Sequence, residues 1–214
     1  VAVGTLPTMS WASNPDGIKP ELRYDYDVDK AKKLLDEAGW APGADGVRAK
    51  DGQRLSFTMY GIGGNNIHIQ MLQAMQEDWK VVGVEMTPQP EPFQQLVSRI
   101  TETFDFETFL VGFGWDATPD QSAMWACDSY KAGFNMVKYC NPKVDDLLKK
   151  AAAEPDQKKR IELYTEFQNA LLADVPMGVT IFSQGTAGVN KRVHNYFPNQ
   201  QNTRFNAETW WVEK

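Results

Sequence analysis

The sequence predicts a mixed α/β domain whose sheet is mostly parallel and is flanked by helices. The main evidence is a strand, helix and strand unit over residues 55–89. Apolar and polar residues alternate over 55–60, as in a strand, and helical spacing follows over about 67–82. A second strand is expected at 84–87. A helical crossover of this length joins parallel strands through a right-handed connection.

An amphipathic helix with a start signal and a stop signal is predicted over residues 26–40. Asp27 is a favourable N-cap, and Gly39 supplies the left-handed residue that closes many helices. Trp40 is placed to fold back over Leu35. The apolar residues that share one helical face are Val28, Ala31, Leu34, Leu35 and Ala38.

The remaining pattern completes the domain and indicates where it ends. Helices are expected over about 93–100, 143–153 and 156–173, and strands over 106–111 and 179–182. Residues 1–23 are rich in Pro, Gly, Ser and Asn and are expected to form an irregular lead-in. Periodicity stops after Phe182, which predicts a domain over 1–184 and a separate tail over 185–214.

Composition and charge argue against several classes of protein. The 214 residues are 42% hydrophobic and 23% charged, which is typical of a globular protein rather than a disordered one. Lys and Arg number 22 against 28 Asp and Glu, so the net charge is -6 and nucleic acid is not an expected partner. No apolar run approaches the roughly 20 residues that span a bilayer. The first residues lack the layout of a signal peptide.

Several stretches of the sequence resemble one family of bacterial receptors. The helix at 26–40 reads YDVDKAKKLLDEAGW and is followed by turns at 45–48 and 50–52. This stretch of sequence closely resembles the C-terminal lobe of the family 5 extracellular solute-binding proteins. These are the dipeptide-, oligopeptide- and nickel-binding receptors of ABC importers. Weaker matches extend the resemblance over most of the chain, at 133–135, 139–142, 145–148 and 160–164.

The resemblance implies a fold and a function. The fold would be a periplasmic-binding-protein type II lobe, and the protein would be the substrate-binding component of an ABC importer. It would capture a peptide-like or other small solute in a cleft between two lobes and present it to the permease. Such receptors neither make nor break a bond, and neither a cofactor nor a metal is predicted for this chain.

The resemblance also implies partners and a location. The partners would be the solute, the transmembrane permease subunits and the N-terminal lobe of the same receptor. Family members are much longer than this chain, which is therefore expected to be a fragment whose tail returns to the N-terminal lobe. The full-length receptor is expected in the periplasm or outside the cell, with a lipid anchor as one option.

Two loops follow predicted strands at the sheet edge where ligands bind in open α/β folds. The first loop, at 61–66, opens onto a helix N-terminus, so Asn65 is a candidate contact for an anion or a carboxylate. The alternative is a glycine-rich turn that only joins a strand to a helix. The second loop, at 112–120, combines glycines with a tryptophan and aspartates. This composition is typical of a ligand-binding loop, and a surface turn is the alternative.

The resemblance implies that the second loop, at 112–120, contains ligand-binding residues. In peptide-binding members a strand runs into Gly-Trp, and an Asp three residues past that Trp pairs with the α-amino group of the peptide. Phe113 matches this Trp, and Asp116 matches the amine-binding carboxylate. The sequence departs from the pattern because the step from Asp116 to Pro119 is one residue short, and because Leu110 stands where some oligopeptide binders carry an Arg. The candidate ligand-binding residues are Asp116, Trp115, Phe113, Gly114, Asn135 and Asn65.

Two cysteines, Cys127 and Cys140, lie in a loop-like region. Both are flanked by polar turn residues, which favours a disulfide across an exposed loop. Some dipeptide-binding relatives look similar in carrying a pair at this spacing. Two buried free thiols are the alternative. Zinc is not expected, because two cysteines without a nearby histidine supply half of a zinc site.

The sequence does not predict an enzyme. Its two histidines, His68 and His194, have no nucleophile or metal ligand at a recognised spacing. Asp116 and Asp120 could form a glycosidase-like acid pair, which keeps a secreted hydrolase open as the least favoured alternative. Seven tryptophans keep an oligosaccharide-binding receptor of the same fold open, because aromatic rings stack on sugars. A chemotaxis or signalling sensor built on the same lobe is a further alternative.

Overall fold

The computed structural model describes residues 2–114, 118–183, 186–199 and 204–213. The chain divides into two compact units. Unit 1 contains the described residues of 1–24, 114–129 and 139–214, and unit 2 contains 25–113 and 130–138. The predicted boundary between residues 184 and 185 stays a prediction, because both residues lie outside the described part of the chain.

Unit 2 is built on a parallel sheet with helices packed against it. Its helices are α1 (Val28–Glu37), α2 (Asn66–Val81) and α3 (Phe93–Ser98), and a π-helical turn at Arg99–Thr103 continues α3. Its strands are β1 (Ala41–Pro42), β2 (Arg48–Lys50), β3 (Gln53–Arg54), β4 (Ser56–Ile62), β5 (Glu85–Glu91) and β6 (Thr108–Phe109). The helices predicted over 26–40 and 67–82 are confirmed, and the helix predicted over 93–100 is α-helical to Ser98.

The predicted strand, helix and strand unit is confirmed as β4, α2 and β5. β4 lies between β5 and β6, and both neighbours run parallel to it. α2 covers one face of the sheet, where the rings of Trp79 and Phe57 meet with 5.6 Å between their centroids. Gly61 permits this packing, because a Cβ there would lie 2.7 Å from Cδ1 of Leu72. Tyr60 points to the opposite face, since successive residues of a strand alternate.

Two strands differ in length from the prediction, for reasons set by their neighbours. β5 continues to Glu91 although it contains two prolines, which an edge strand tolerates because one side of its backbone has no strand to bond. The strand predicted over 106–111 shortens to β6. The N–H of Leu110 extends its pairing with a hydrogen bond to the Tyr60 carbonyl at 2.7 Å.

α1 has the predicted caps but not a buried face. Asp27 accepts a hydrogen bond from the Lys30 N–H at 2.8 Å, and Gly39 adopts a positive φ of 85°. The described structure buries no residue of α1, and Leu34 is 53% exposed. The apolar face predicted from helical spacing is therefore only partly covered.

A buried arginine, Arg48, ties α1 to the small antiparallel sheet of β1, β2 and β3. Its guanidinium donates to Asp36 at 2.5 Å and to the Trp40 carbonyl at 2.6 Å, and its Nε donates to the Val82 carbonyl at 2.9 Å. The turn signals in this region do not reveal the strands, which are only two or three residues long.

Unit 1 has a helical core. Its helices are α4 (Ser122–Trp125), α5 (Pro142–Ala153) and α6 (Gln157–Asp174), and its strands are β7 (Val193–His194) and β8 (Trp211–Val212). α5 and α6 confirm the helices predicted over 143–153 and 156–173, and they pack on each other. Their buried apolar side chains are Val144, Leu147, Leu148, Ala151, Tyr164, Phe167, Leu171 and Leu172.

The lead-in predicted over 1–23 is irregular, as expected, yet it contributes to the core of unit 1. It forms two short 3-10 turns. Its buried apolar side chains are Leu6, Ala12 and Ile18. The buried side chain of Gln168 accepts hydrogen bonds from the N–H groups of Thr5 and Leu6, at 3.0 and 3.2 Å. These bonds from α6 replace the sheet partners that an irregular segment lacks.

The chain after α6 differs from the prediction in two ways. The strand predicted over 179–182 is wrong, because these residues join none of the sheets of the described chain. The tail, which has no periodicity in sequence, contains β7 and β8, and these pair antiparallel with Val193 opposite Val212. Among the described residues, each helix is too short or too polar to span a bilayer.

Candidate functional site

The carboxyl edge of the unit 2 sheet is the candidate site. β4, β5 and β6 are parallel, so their carboxyl ends meet at one edge, where ligands bind in open α/β folds. The loop after β4 leads into α2, the loop after β5 leads into α3, and residues 110–113 follow β6. A backbone hydrogen bond of 2.6 Å from the Gly63 N–H to the Glu91 carbonyl joins the first loop to the end of β5. A Cβ on residue 63 would lie 3.0 Å from that oxygen, so glycine permits the close approach.

Asn65 lies at this edge, but its side chain caps α2. Its Oδ1 accepts hydrogen bonds from the N–H groups of Ile67 and His68, at 3.0 and 3.3 Å. An anion at a helix N-terminus would bind the same kind of N–H group. The geometry therefore favours a turn that joins strand to helix, and a ligand contact from Asn65 stays a prediction.

Apolar side chains are exposed at the same edge. Ile67 in the first turn of α2 is 66% exposed, and Phe93 at the start of α3 is 54% exposed. Helical spacing places Ile67 on the apolar face of α2, yet the buried position of that helix is Leu72. The first turn of α2 therefore leaves apolar surface outside the core of the described unit.

Phe113 and Phe134 bring a second part of the chain to this region of unit 2. Their ring centroids lie 6.4 Å apart in an edge-to-face arrangement, and Phe134 remains 55% exposed. Gly114 is exposed, and no atom that the described residues contribute lies within 4 Å of the place where its Cβ would be. Packing of the described residues therefore does not require glycine at position 114.

Asn135 follows Phe134 but is buried, with 1% of its surface exposed. Its carbonyl accepts a hydrogen bond from the Lys138 N–H at 3.2 Å. The Lys138 ammonium lies 3.8 Å from the centroid of the Phe104 ring, which is the geometry of a cation–π contact. Asn135 is thus placed to shape the segment at 130–138, and its contact with a ligand stays a prediction.

Trp115 and Asp116, which carry most of the chemistry of the predicted site, lie outside the described residues. Their roles stay predictions. Asp120 is described, and its Oδ1 accepts hydrogen bonds from the N–H and the hydroxyl of Ser122, at 2.9 and 2.6 Å. This carboxylate serves the start of α4, which does not favour its use in a glycosidase-like pair.

An ion pair at the carboxyl edge, between buried Glu91 and half-buried Arg99, was not predicted from the sequence. Arg99 donates to both carboxylate oxygens of Glu91, at 2.7 and 3.1 Å, and its guanidinium lies 4.2 Å from the centroid of the Tyr60 ring. The hydrogen bonds to Glu91 raise the pKa of Arg99. The signal that could identify the pair is an acidic residue a few positions after a predicted strand, followed two helical turns later by an arginine.

Comparison with known proteins decides the family. The profile of the bacterial extracellular solute-binding proteins, family 5 Middle, matches residues 1–135. The chain belongs to this family. The resemblance seen in the sequence is confirmed, and so is the α/β fold of a type II periplasmic-binding-protein lobe.

Curated relatives of this family are similar over most of the chain. Oligopeptide-binding protein AppA of Bacillus subtilis is 28% identical over 208 residues, which cover 96% of this chain and 38% of AppA. Protein XP55 of Streptomyces lividans is 35% identical over 151 residues, which cover 69% of this chain and 27% of that protein. The chain therefore spans well under half the length of these relatives.

Solved structures of family members share the fold. AppA of Bacillus subtilis in complex with a nonapeptide matches with a TM-score of 0.81 at 27% identity, over 100% of this chain and 42% of that one. A mannohexaose-bound periplasmic oligopeptide-binding protein from Thermotoga maritima matches with a TM-score of 0.70 at 25% identity, over 80% of this chain and 33% of that one.

The predicted disulfide is confirmed, because Cys127 is bonded to Cys140. The residues on either side of Cys140 are held by the end of α6. The hydroxyl of Tyr139 and the amide of Asn141 donate to Asp174, at 2.6 and 2.7 Å. These bonds lower the pKa of Asp174, with Tyr139 the larger cause, whereas burial and the neighbouring carboxylate raise the pKa of Tyr139.

The two histidines of this family member lie on separate elements. His68 belongs to α2, and His194 in β7 stacks on Trp211 with 4.0 Å between ring centroids. The Nε2 of His194 also lies 3.5 Å from Glu213. Within the part of the chain that the structure describes, no group of three or more His, Cys, Asp or Glu side chains could hold a metal ion.

Proposed function

We propose that this chain is the C-terminal lobe of the substrate-binding component of a bacterial ABC importer and that it captures a peptide-like solute. The observation that carries the proposal is the similarity to AppA, which extends over the whole chain with a TM-score of 0.81. AppA is an oligopeptide-binding protein, and its structure holds a nonapeptide. Membership of a solute-binding family supports capture of a ligand rather than its conversion.

The carboxyl edge of unit 2 offers groups that suit a peptide. Ile67, Phe93 and Phe134 supply exposed apolar surface, and burying such surface stabilises a complex by roughly 25 cal/mol per Å². Asp116 would pair with the α-amino group of the ligand. A charge-assisted hydrogen bond from which water is excluded contributes about 1.5 to 3 kcal/mol. Both the apolar groups and the carboxylate would contribute to affinity, and the carboxylate would also orient the ligand.

The complete receptor would bind its solute in a cleft between this lobe and its N-terminal lobe. Closure of the cleft would exclude water and create the form that the permease recognises. The partners are therefore the solute, the N-terminal lobe and the transmembrane subunits. As an extracellular solute-binding protein, the receptor would work in the periplasm or at the outer surface of the membrane.

An oligosaccharide is the second candidate ligand. The relative from Thermotoga maritima that shares this fold is bound to mannohexaose. Exposed aromatic rings such as Phe93 and Phe134 can stack on sugar rings as well as on apolar side chains. The two ligand classes differ in charge, because a peptide carries an amine for Asp116 and a neutral sugar does not.

The test uses the full-length receptor. Small molecules released from the purified, denatured receptor are identified by mass spectrometry, and calorimetry then measures binding of short peptides and of mannose oligosaccharides. Peptides among the released molecules and measurable peptide affinity support the proposal, whereas sugars alone support the second candidate. Release of a chemically converted substrate would contradict both and favour a hydrolase.

A further inference from the structure

We propose that Arg99 is a positioning residue of the candidate site: it fixes the segment that leads into β6 and thereby the residues at 110–113 that face a ligand. The inference rests on the proposed function, because those residues matter only if a solute binds at the carboxyl edge. Arg99 acts through the backbone that it holds, and it is not assigned a contact with the solute.

One guanidinium joins three parts of unit 2. It holds Glu91 at the end of β5 through two hydrogen bonds, and it lies against the ring of Tyr60 in β4. Its Nη1 also donates to the carbonyl and to the carboxylate of Asp105, at 2.8 and 3.0 Å. A planar fork with five N–H donors can make all of these bonds at once. Arg99 therefore couples the segment before β6 to the two strands that end beside it.

β6 benefits from this support because its own pairing is short. Only two of the described residues after Asp105, Thr108 and Phe109, pair with β4 as a strand. Further bonds hold β6 and its neighbours: Leu110 N–H to the Tyr60 carbonyl, the Thr108 hydroxyl to the Thr58 carbonyl, and Thr58 N–H to the Glu107 carboxylate. All of these bonds lie after Asp105, so they do not fix the direction from which the chain approaches.

The approach to β6 contains a sharp turn. Phe104 adopts a left-handed conformation with φ of 54°, which is uncommon for a residue other than glycine and is maintained by its surroundings. Lys138 lies over the ring of Phe104 on one side of this turn. Arg99 holds the backbone carbonyl of the next residue, Asp105, on the other. Loss of the hydrogen bond from Arg99 to the Asp105 carbonyl would free the turn and let β6 move along β4.

Arg99 has two roles, the ion pair with Glu91 and the hydrogen bonds to Asp105, and substitutions can separate them. Its partner Glu91 is buried, whereas the side chain of Asp105 is 85% exposed. Arg99→Lys keeps a positive charge beside Glu91, but one ammonium cannot also reach Asp105 with the geometry of a fork. Asp105→Ala removes the carboxylate acceptor and leaves the carbonyl acceptor in place. We therefore expect Arg99→Lys to disturb the approach to β6 more than Asp105→Ala does.

The experiment measures two quantities for each variant. Hydrogen exchange on this chain reports the opening of the Leu110 amide, and calorimetry on the full-length receptor reports its affinity for a short peptide. Arg99→Lys should speed exchange at Leu110 and weaken peptide binding by roughly tenfold, which is the scale of one charge-assisted hydrogen bond. Amides of the β4–β5 ladder should exchange as in the wild type. Asp105→Ala should show a smaller change of the same kind.

Arg54 provides a matched control. It contacts two carboxylates, Asp45 and Glu85, and Glu85 is the first residue of β5, at the opposite end from Glu91. Arg54→Lys thus makes the same chemical change away from the candidate site. It should leave both the exchange of Leu110 and the affinity for peptide unchanged.

Each outcome decides the proposal. Unchanged exchange at Leu110 in Arg99→Lys overturns it, and so does an equal loss of affinity in Arg54→Lys, which would indicate general destabilisation. If Arg99→Lys does not fold, the same two readouts on Asp105→Ala decide. If the wild-type receptor binds neither peptide nor oligosaccharide, the proposed function fails, and exchange at Leu110 still shows whether Arg99 positions the segment.

Discussion

At the scale of single residues, buried or half-buried polar side chains hold the places where elements meet. Arg48 joins the Asp36 carboxylate of α1 to the carbonyl that follows α2, Gln168 holds the lead-in, and Arg99 joins β5 to the approach to β6. None of these roles follows from hydrophobic periodicity, because the partners lie far apart in the sequence or in separate elements. Apolar spacing predicts which face of a helix is buried, whereas a buried polar group depends on its partner.

Arg48→Met is expected to destabilise unit 2. Methionine preserves part of the side-chain length, but the carbonyls of Trp40 and Val82 lose their donor. We expect a loss of about 2 to 3 kcal/mol in the free energy of unfolding, measured by urea denaturation. Arg54→Met is the control, because Arg54 pairs at the surface and should change stability little. Equal losses in the two variants would contradict the role given to Arg48.

Asp116→Asn tests the residue that the family resemblance marks for ligand contact. The substitution keeps the shape of the side chain and removes its charge. In the full-length receptor it should weaken binding of an amine-bearing ligand by roughly ten- to a hundredfold, since each 1.4 kcal/mol is a factor of ten. Calorimetry on wild type and variant measures the effect. An unchanged affinity for the true ligand would mean that Asp116 is only a turn residue.

At the scale of elements, local signals predicted the helices and failed for isolated strands. α1, α2, α5 and α6 follow from spacing and caps, which lie within the helix itself. A strand depends on a neighbour that local sequence does not contain. The apolar run at 179–182 has the composition of a strand without a partner in the described sheets, and the strand at 106–111 is reduced to two paired residues.

The candidate site was predictable in position but not in detail. The strand, helix and strand pattern at 55–89, together with the strand predicted over 106–111, is enough to place a carboxyl edge with two loops. The use of Asn65 as a cap is a local event that an Asn before a helix signals. The exposure of Ile67 and the pairing of Glu91 with Arg99 depend on how elements pack, so sequence spacing could not establish them.

The hydrogen bonds from Tyr139 and Asn141 to Asp174, at the end of α6, are called the clamp. They predict that the stability of unit 1 depends on pH. Tyr139 and Asn141 lower the folded-state pKa of Asp174 below its usual value of 3.8. The unfolded state therefore takes up the proton first as the pH falls, so the stabilisation is present above the unfolded pKa and is lost as the pH falls through the folded pKa. Asp174→Asn should reduce stability near about pH 7, and the difference from wild type should shrink below about pH 4.

Urea unfolding of wild type and Asp174→Asn across this pH range measures the effect. Glu162→Gln is the control, because Glu162 is an exposed carboxylate on the same helix. A pH-dependent difference of equal size for Glu162→Gln would show that the effect belongs to net charge rather than to the clamp at Asp174.

At the scale of the whole molecule, parts distant in the sequence build one unit. Unit 1 draws on the lead-in, on residues around α4 and on everything described after residue 138. The irregular lead-in is part of its core because polar side chains from later parts of the chain satisfy its backbone, as Gln121, just before α4, does for the Thr5 carbonyl at 3.0 Å. Composition alone predicts irregularity for such a segment but not its burial.

The tail carries the last prediction. Three of its aromatic side chains, Phe197, Phe205 and Trp211, are 70%, 59% and 52% exposed, so the tail has apolar surface that a second lobe could cover. If the tail returns to the N-terminal lobe in the complete receptor, the amides of β7 and β8 should exchange much faster than those of α2 in this chain alone, and they should become protected in the full-length receptor. Hydrogen exchange followed by mass spectrometry compares the two proteins directly. Protection equal to that of α2 in the isolated chain would mean that the tail completes its own packing and needs no second lobe.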